Sequence, residues 1–251
     1  MAPFTEVLLQ KIRLMPHGSV LDVGCGCGAL TLAVARQADR ALGIDISAPL
    51  TEIASERARA AQIDNVEFVV ADAQTYAFAP GSFDLVVSQF GLMFFDDPVG
   101  AISNLRRSLA RGGRLVFISW QGLPENEWLS VIAKEVANHV EVPEFGGLSR
   151  GPGMFALKDQ SETSALLASA GFTEVTFESL KPAILIGGGD TVDQSMDFLL
   201  GMGMARGLIG LAGAGAHREV VEAIRLALAA RYEPRVGVAF GAGAWLVSAL
   251  N

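Results

Sequence analysis

With 251 residues, 51% of them apolar and 18% charged, the chain can bury a sizeable core, which excludes a disordered protein. Its formal charge of −8, from 27 acidic against 19 basic residues, repels phosphate backbones and anionic lipid heads, so neither nucleic acid nor membrane is an expected partner. The first residues, Met1 to Arg13, show no basic start followed by an apolar run, so no signal peptide is read and the expected location is the cytoplasm.

The first half alternates strand and helix signals. Ser19-Val-Leu-Asp-Val is a short apolar run that halts at glycines, and Ala29 to Gln37 carries a helical pattern. Arg40-Ala-Leu-Gly-Ile-Asp-Ile reads as a second strand; Ser47 as N-cap and Pro49 in the first turn open a helix to about Ala61. Val66 to Ala71 and Phe83 to Ser88 are a third and a fourth strand. Asp97 caps a helix with Pro98 at its first position and a stop at Gly112-Gly113, and Arg114 to Trp120 is the fifth strand. Strands alternating with helices predict a parallel sheet covered on both faces.

The second half is less regular. Helices are expected over Glu125–Val140, Gln160–Ala170, Thr191 to about Leu211, and Arg218–Arg231. Gly146 to Gly153 is a glycine-rich connection, Glu174 to Leu180 alternates like a strand, and Gly243 to Leu250 is a terminal strand. Phe198 to His217 comes nearest to a membrane span, but Arg206 and six glycines interrupt it, and it reads as a buried cap helix. The expectation is a single α/β domain over residues 1–251, with cap segments at about 122–156 and 188–235.

The strongest signal is Asp22-Val-Gly-Cys-Gly-Cys-Gly, a strand running into three alternate glycines and then a helix. Such glycines let a ligand approach the backbone, and the helix that follows offers unpaired N–H groups. Cys25 and Cys27 within it are too few for a zinc site and read as small fillers in a reducing compartment. A dinucleotide loop places its third glycine three residues after the second, whereas Gly28 lies two after Gly26. A carboxylate at Asp22 would repel a pyrophosphate and suit a cationic sulfonium ligand bearing an amino group. Asp45 ends the second strand, where an acid can accept ribose hydroxyls, and Asp72 ends the third, within reach of an adenine amino group. Each acid alone also reads as a turn former or helix cap.

Together these stretches resemble the class I S-adenosylmethionine-dependent methyltransferases, and within them the UbiE-like small-molecule group. The resemblance rests on Val20 to Gly28, Gly43-Ile-Asp, Ala71-Asp-Ala, Phe83 to Phe95 and Leu105 to Phe117; it covers residues 15 to 120 well and the rest loosely. It implies a Rossmann-like, mostly parallel sheet of seven strands, the last antiparallel beside the fifth, with a helical cap. It also implies S-adenosyl-L-methionine as cofactor and S-adenosyl-L-homocysteine as product. Asp22, Gly24, Cys25, Gly26 and Gly28 would surround the methionine part, and Asp45, Ile46 and Ser47 the ribose and one adenine face. Asp72, Ala73 and Gln74 would meet the adenine edge, with Ser88, Gln89 and Phe90 flooring the methyl end. Only about 18 residues precede the first strand, where related enzymes carry a longer N-terminal segment over the cofactor; either the chain is naturally short or truncated, or another element closes the pocket.

The expected partner is an apolar or aromatic small-molecule methyl acceptor, with room left for a homodimer and no metal. Phe90, Met93, Phe94, Trp120, Trp128, Met154 and Phe155 are candidate acceptor-site residues, and Met196, Met202 and Met204 an adaptable wall. Each also reads as ordinary core packing. No catalytic residue is assigned. His139 is the best-placed histidine for a pocket but also suits a helix C-terminus, His17 reads as a turn residue, His217 as a surface residue, and Asp96 as a candidate to face the pocket. A nicotinamide-dependent oxidoreductase and a non-catalytic S-adenosylmethionine-binding protein are the competing readings.

Overall fold

A computed structural model describes residues 2–12, 18–139, 152–188 and 191–251. His17, Val140, most of the Gly146–Gly153 connection and the side chain of Met204 lie outside the described residues. The chain divides into two compact units. A sheet unit comprises Ala2–Trp120, Gly151–Ser179 and Ala244–Asn251, and a helical unit comprises Gln121–Arg150 and Leu180–Gly243.

In the sheet unit, β1 (Ser19–Val23), β2 (Arg40–Asp45), β3 (Val66–Val70), β4 (Phe83–Gln89) and β5 (Leu109–Trp120) run parallel. With β6 (Thr173–Leu180) and β10 (Ala244–Leu250) they make a Rossmann-like seven-stranded sheet of order β3-β2-β1-β4-β5-β10-β6. β10 is antiparallel to β5, with Ala244 opposite Trp120 and Leu250 opposite Arg114. The crossovers are α2 (Ala29–Ala35), α3 (Ala48–Ala60) and α4 (Pro98–Ser108); α6 (Gln160–Ser169) precedes β6. Leu21, Ile44, Val86, Val87 and Leu115 to Ile118 are buried between the helical layers, as unbroken β-branched and aliphatic runs require. Strand order reverses between β1 and β4, and a crevice opens at their carboxyl ends.

Several boundaries differ from the sequence expectation. α4 ends at Ser108, four residues before the glycines read as its stop. Gly113 serves close packing instead, since a Cβ there would lie 2.9 Å from the Ala110 carbonyl oxygen. An N-terminal helix, α1 (Ala2–Lys11), was not expected; it packs on β5 and α2 and buries Phe4 and Leu8 completely.

The helical unit holds α5 (Glu127–Ala137), α7 (Val192–Gly201), α8 (Gly203–Leu211) and α9 (Gly213–Ala229). A three-stranded sheet of β7 (Ala183–Leu185), β9 (Gly237–Gly241) and β8 (Tyr232–Glu233) completes it. The single helix expected over Thr191–Leu211 is two, because Met202, between Gly201 and Gly203, is extended (φ −78°, ψ 130°). α5 buries Trp128, Leu129, Ile132 and Val136 on one face, the i, i+1, i+4, i+8 stripe of an amphipathic helix. Fully buried Asn126 ties the unit's two segments: its Nδ2 donates to the Gln121 and Gly243 carbonyls and its Oδ1 accepts from Gly243 N. No helix among the described residues is long and apolar enough to cross a membrane.

Candidate functional site

The crevice begins where β1 meets the glycine loop. Gly24, Gly26 and Gly28 all have positive φ, at 70°, 51° and 77°. At Gly24 this is joined by crowding, because a Cβ would lie 2.9 Å from Gly91 Cα. At Gly26 a Cβ would meet nothing within 4 Å, so its requirement is conformational and its outer side is open. Gly24 N and Cys25 N both donate to the Ile44 carbonyl, at 2.9 and 3.1 Å, which hangs the loop on β2.

Asp45, at the end of β2, clasps the same loop. Its Oδ2 accepts from Gly26 N at 2.8 Å and its Oδ1 from Ser47 N at 2.9 Å. Ser47 therefore precedes α3 as a backbone donor to Asp45 and makes no side-chain cap bond. Each carboxylate oxygen of Asp45 keeps a second lone pair for another donor. Asp72 accepts from Gln74 N at 2.8 Å, and Gln74 Oε1 accepts from Asp97 N at 2.8 Å, joining the segment after β3 to the segment before α4.

Asp22 is buried in the middle of this frame, at 2% exposure. Its Oδ2 accepts from Thr31 Oγ1 at 2.6 Å, while its Oδ1 is buried without a hydrogen-bond partner. Burial pushes its carboxyl up to about 7, with the Asp45 charge adding to the rise and the Thr31 bonds opposing it. Burial also raises the Cys25 thiol, with Asp22 and Asp45 reinforcing it, so Cys25 holds its proton and is no nucleophile.

A cavity of about 370 Å³ lies beside these groups. Gly24, Asp45, Ile46, Asp72, Ala73, Gln74, Phe90 and Phe94 line it, and with Asp96, read as a candidate to face the pocket, nine of the residues singled out in the sequence converge there. Val23, Ile44, Ala71, Gly91 and Phe95 complete its wall. Ile46 and Phe94 are 76% and 58% exposed, an apolar pair open to a flat ligand. The remaining candidates in this unit, Asp22 among them, do not line it. Ser88 is fully buried, its hydroxyl donating to the Val23 carbonyl at 2.7 Å and accepting from Gly91 N at 3.2 Å. Gln89 Oε1 accepts from Thr5 Oγ1, Met93 is core, and Trp120 stacks on Phe90 with ring centroids 4.1 Å apart. Met154 is half-buried and Phe155 buried, close in sequence to Gly153, whose N–H donates to the Met93 carbonyl.

Trp128, His139, Met196 and Met202 belong to the helical unit. There Trp128 is core, and His139 Nδ1 lies 3.8 Å from Glu219 Oε2. Two site-building residues escaped the sequence reading. Thr31 donates its hydroxyl to Asp22, and Asn104 on α4 donates to the Ala73 and Tyr76 carbonyls at 3.0 and 2.9 Å, fixing the segment that carries Asp72. The available signal was a polar residue on the face otherwise made by Ala101, Leu105 and Ser108. Among the described residues no cluster of His, Cys, Asp or Glu could hold a metal.

Known proteins are similar to this chain in sequence and in fold. A methyltransferase-domain family model matches residues 21–117. The chain is 37% identical over 103 residues to the aklanonic acid methyltransferase DauC of Streptomyces sp. (strain C5), covering 40% of this chain and 47% of that protein. It is 32% identical over 172 residues to the demethylmenaquinone methyltransferase of Thermus thermophilus, covering 64% and 76%. Among solved structures, the YcgJ protein of Bacillus subtilis superposes with a TM-score of 0.66 over 100% of this chain and 99% of that one, at 16% identity. The chain spans half or less of the length of the first curated relatives it matches, and about three quarters of the Thermus enzyme.

Proposed function

This chain belongs to the class I S-adenosylmethionine-dependent methyltransferases, and from that premise we propose that it methylates an apolar or aromatic small molecule at oxygen or carbon by in-line displacement. The observation that carries the cofactor reading is Asp22 Oδ1, a buried carboxylate oxygen with no partner, on the strand whose next residues, Val23 and Gly24, line the cavity. A buried acceptor left unpaired is unfavourable, and a cationic ligand group would relieve it. S-adenosyl-L-methionine fits these residues; when bound it supplies an electrophilic methyl group on a sulfonium sulfur.

In this reading Asp22 offers its charge to the methionine end, with Gly24, Gly26 and Gly28 giving backbone access and Cys25 filling beneath them. Asp45 accepts from ribose with its spare lone pairs, held in place by Gly26 and Ser47. Ile46 packs on one adenine face, and Asp72, Ala73 and Gln74 meet its edge. Ser88 and Gln89 hold Phe90, which with Phe94 presents an aromatic wall toward the acceptor; Met93, Trp120 and Met154 support it. Alignment of nucleophile, methyl and sulfur is the chief service the protein renders. No general base is assigned. We read the helical segments, about 122–156 and 188–235, as insertions in one methyltransferase domain of cytoplasmic residence. The formal charge of −8 favours a small-molecule acceptor over nucleic acid.

The first test is calorimetric titration with S-adenosylhomocysteine and, separately, NADH; binding of NADH alone would sink the cofactor reading. A labelled methyl donor screened against phenols, quinones, polyketides and carboxylic acids then tests turnover, and saturable binding with no turnover on any would favour a non-catalytic binder. Asp45→Ala should weaken S-adenosylhomocysteine by ~1.5–3 kcal/mol, the range for charge-assisted hydrogen bonds. Because Asp45 also holds Gly26 and Ser47, Asp45→Asn, which retains one acceptor oxygen, should lose less. Unchanged affinity in Asp45→Ala removes the ribose assignment.

A further inference from the structure

Phe90 is a bulky residue with φ 64°, a left-handed backbone that a side chain of its kind rarely adopts. Such strain persists only where surrounding structure over-determines it, and here the constraints can be named. The Phe90 ring stacks on Trp120, at 4.1 Å and 20° between planes. Phe4, from α1, meets both rings edge-on, with centroids 5.2 Å from Phe90 and 5.5 Å from Trp120, and is itself completely buried. Beside these rings, Thr5, which follows Phe4, donates its Oγ1 to Oε1 of Gln89, which precedes Phe90, at 2.9 Å. Phe90 N donates to the Ile118 carbonyl at 2.9 Å.

The backbone so fixed is the one that faces the glycine loop. Gly91 follows Phe90, and a Cβ on Gly91 would lie 2.6 Å from the Val23 carbonyl oxygen and 3.1 Å from Gly24 Cα. Phe90 and Gly91 both line the cavity; no residue of α1 does.

We infer that α1 is a buttress for the cofactor site: Phe4 and Thr5 are positioning residues that hold Phe90 in its left-handed backbone and thereby seat Gly91 against Gly24. α1 acts from behind the cavity wall, and what it sets is the geometry of the methyl end. Aromatic edge-to-face contacts suit this task, because they fix ring orientation as well as distance. The affinity consequence rests on the proposed cofactor; the conformational one does not.

Two measurements separate them. In the free protein, the Phe90 HN–Hα coupling and carbon shifts report positive φ. Phe4→Leu keeps apolar bulk but loses the ring edges, and Phe90 should leave the left-handed region; Thr5→Val should give a smaller change in the same direction. S-adenosylhomocysteine affinity should fall about tenfold in Phe4→Leu, the equilibrium factor matching the strain of one left-handed non-glycine residue. In a Phe90→Gly background, where no ring remains to be held, Phe4→Leu should cause no further loss. A Phe90 that stays left-handed in Phe4→Leu overturns the inference, as does an equal affinity loss in the Phe90→Gly background. Failure of the wild-type protein to bind S-adenosylhomocysteine would overturn the cofactor reading, while the coupling measurement still decides the buttress.

Discussion

Glycines packed in the sheet unit and glycines along α7 to α9 of the helical unit serve opposite ends. In the sheet unit, a Cβ on Gly24, Gly43 or Gly91 would lie within 3 Å of Gly91 Cα, the Phe68 ring or the Val23 carbonyl oxygen respectively. In the helical unit, a Cβ on Gly201, Gly203, Gly207, Gly210, Gly213 or Gly215 would meet nothing within 4 Å. The first set is required by close approach, of backbone at Gly24 and Gly91 beside the cavity and of the Phe68 ring at Gly43. The second lies in or beside helices, where glycine lowers stability and here gains no packing in return. Glycine therefore marks close approach beside the cavity and a weak helix at α8, although Gly187 and Gly243 of the helical unit are themselves close-packed. Substitutions at Gly24 and within α8 should act with opposite signs.

The largest effect is expected at Gly24→Ala. The new Cβ would press on Gly91 backbone at 2.9 Å, in a residue whose φ is 70°. Left-handed strain of ~1–2 kcal/mol and overpacking of ~1–3 kcal/mol add to about 3 kcal/mol, or some two orders of magnitude in S-adenosylhomocysteine affinity. Calorimetry together with denaturant unfolding reads both consequences. Near wild-type affinity would mean that the β1 and β4 exits can part freely, and the contrast between the units would lose its rigid half.

The same contrast explains what could be read in advance. The glycine spacing, Asp45 and Asp72 are legible because strand ends in a parallel sheet lie side by side, so residues far apart in sequence land in one crevice. Period and strand content likewise pointed to the seven strands, while the antiparallel β10 was implied by the family resemblance and by no pattern in the residues. Thr31 and Asn104 were not legible, since a helical Thr or Asn declares no partner until tertiary packing supplies one. α1 was missed because its value lies in Phe4, and one aromatic in a short segment carries no periodic signal. In the helical unit the break at Met202 and the placing of Trp128 in the core of α5 depend on packing alone. Candidate acceptor residues drawn from both units had only composition in common.

A middle-sized effect concerns pH. In the folded protein without ligand, Asp22 titrates at about 7, against 3.8 as its ordinary value, because burial disfavours its charge and Asp45 opposes it further. The folded state thus binds the proton more tightly than the unfolded chain. That contribution to stability is complete below pH 3.8 and is lost as pH rises toward 7. A ligand with a cationic group at Asp22 requires the ionised form, so its affinity should rise as pH rises through about 7 and level off above. Below that point the change is on the order of tenfold per pH unit. Asp22→Asn should bind more weakly and show a flat profile over the same range. A flat profile in the wild type would separate Asp22 from the charged end of the ligand and leave its buried oxygen unexplained.

The smallest effect tests the helical unit. Gly207→Ala and Gly210→Ala fall inside α8, with open space where each Cβ would go and no positive φ to forbid it. Each should stabilise by ~0.5–1 kcal/mol, mainly by reducing the freedom of the unfolded chain. Denaturant midpoints should rise, and amide exchange across α8 should slow more than across α9. S-adenosylhomocysteine affinity should stay at the wild-type value, since neither residue lines the cavity of the sheet unit. Destabilisation by alanine would mean that the space beside α8 is filled in solution, making these glycines a second case of close approach. The sign of so small a change thus decides whether the two units differ in kind or only in which neighbour their glycines meet.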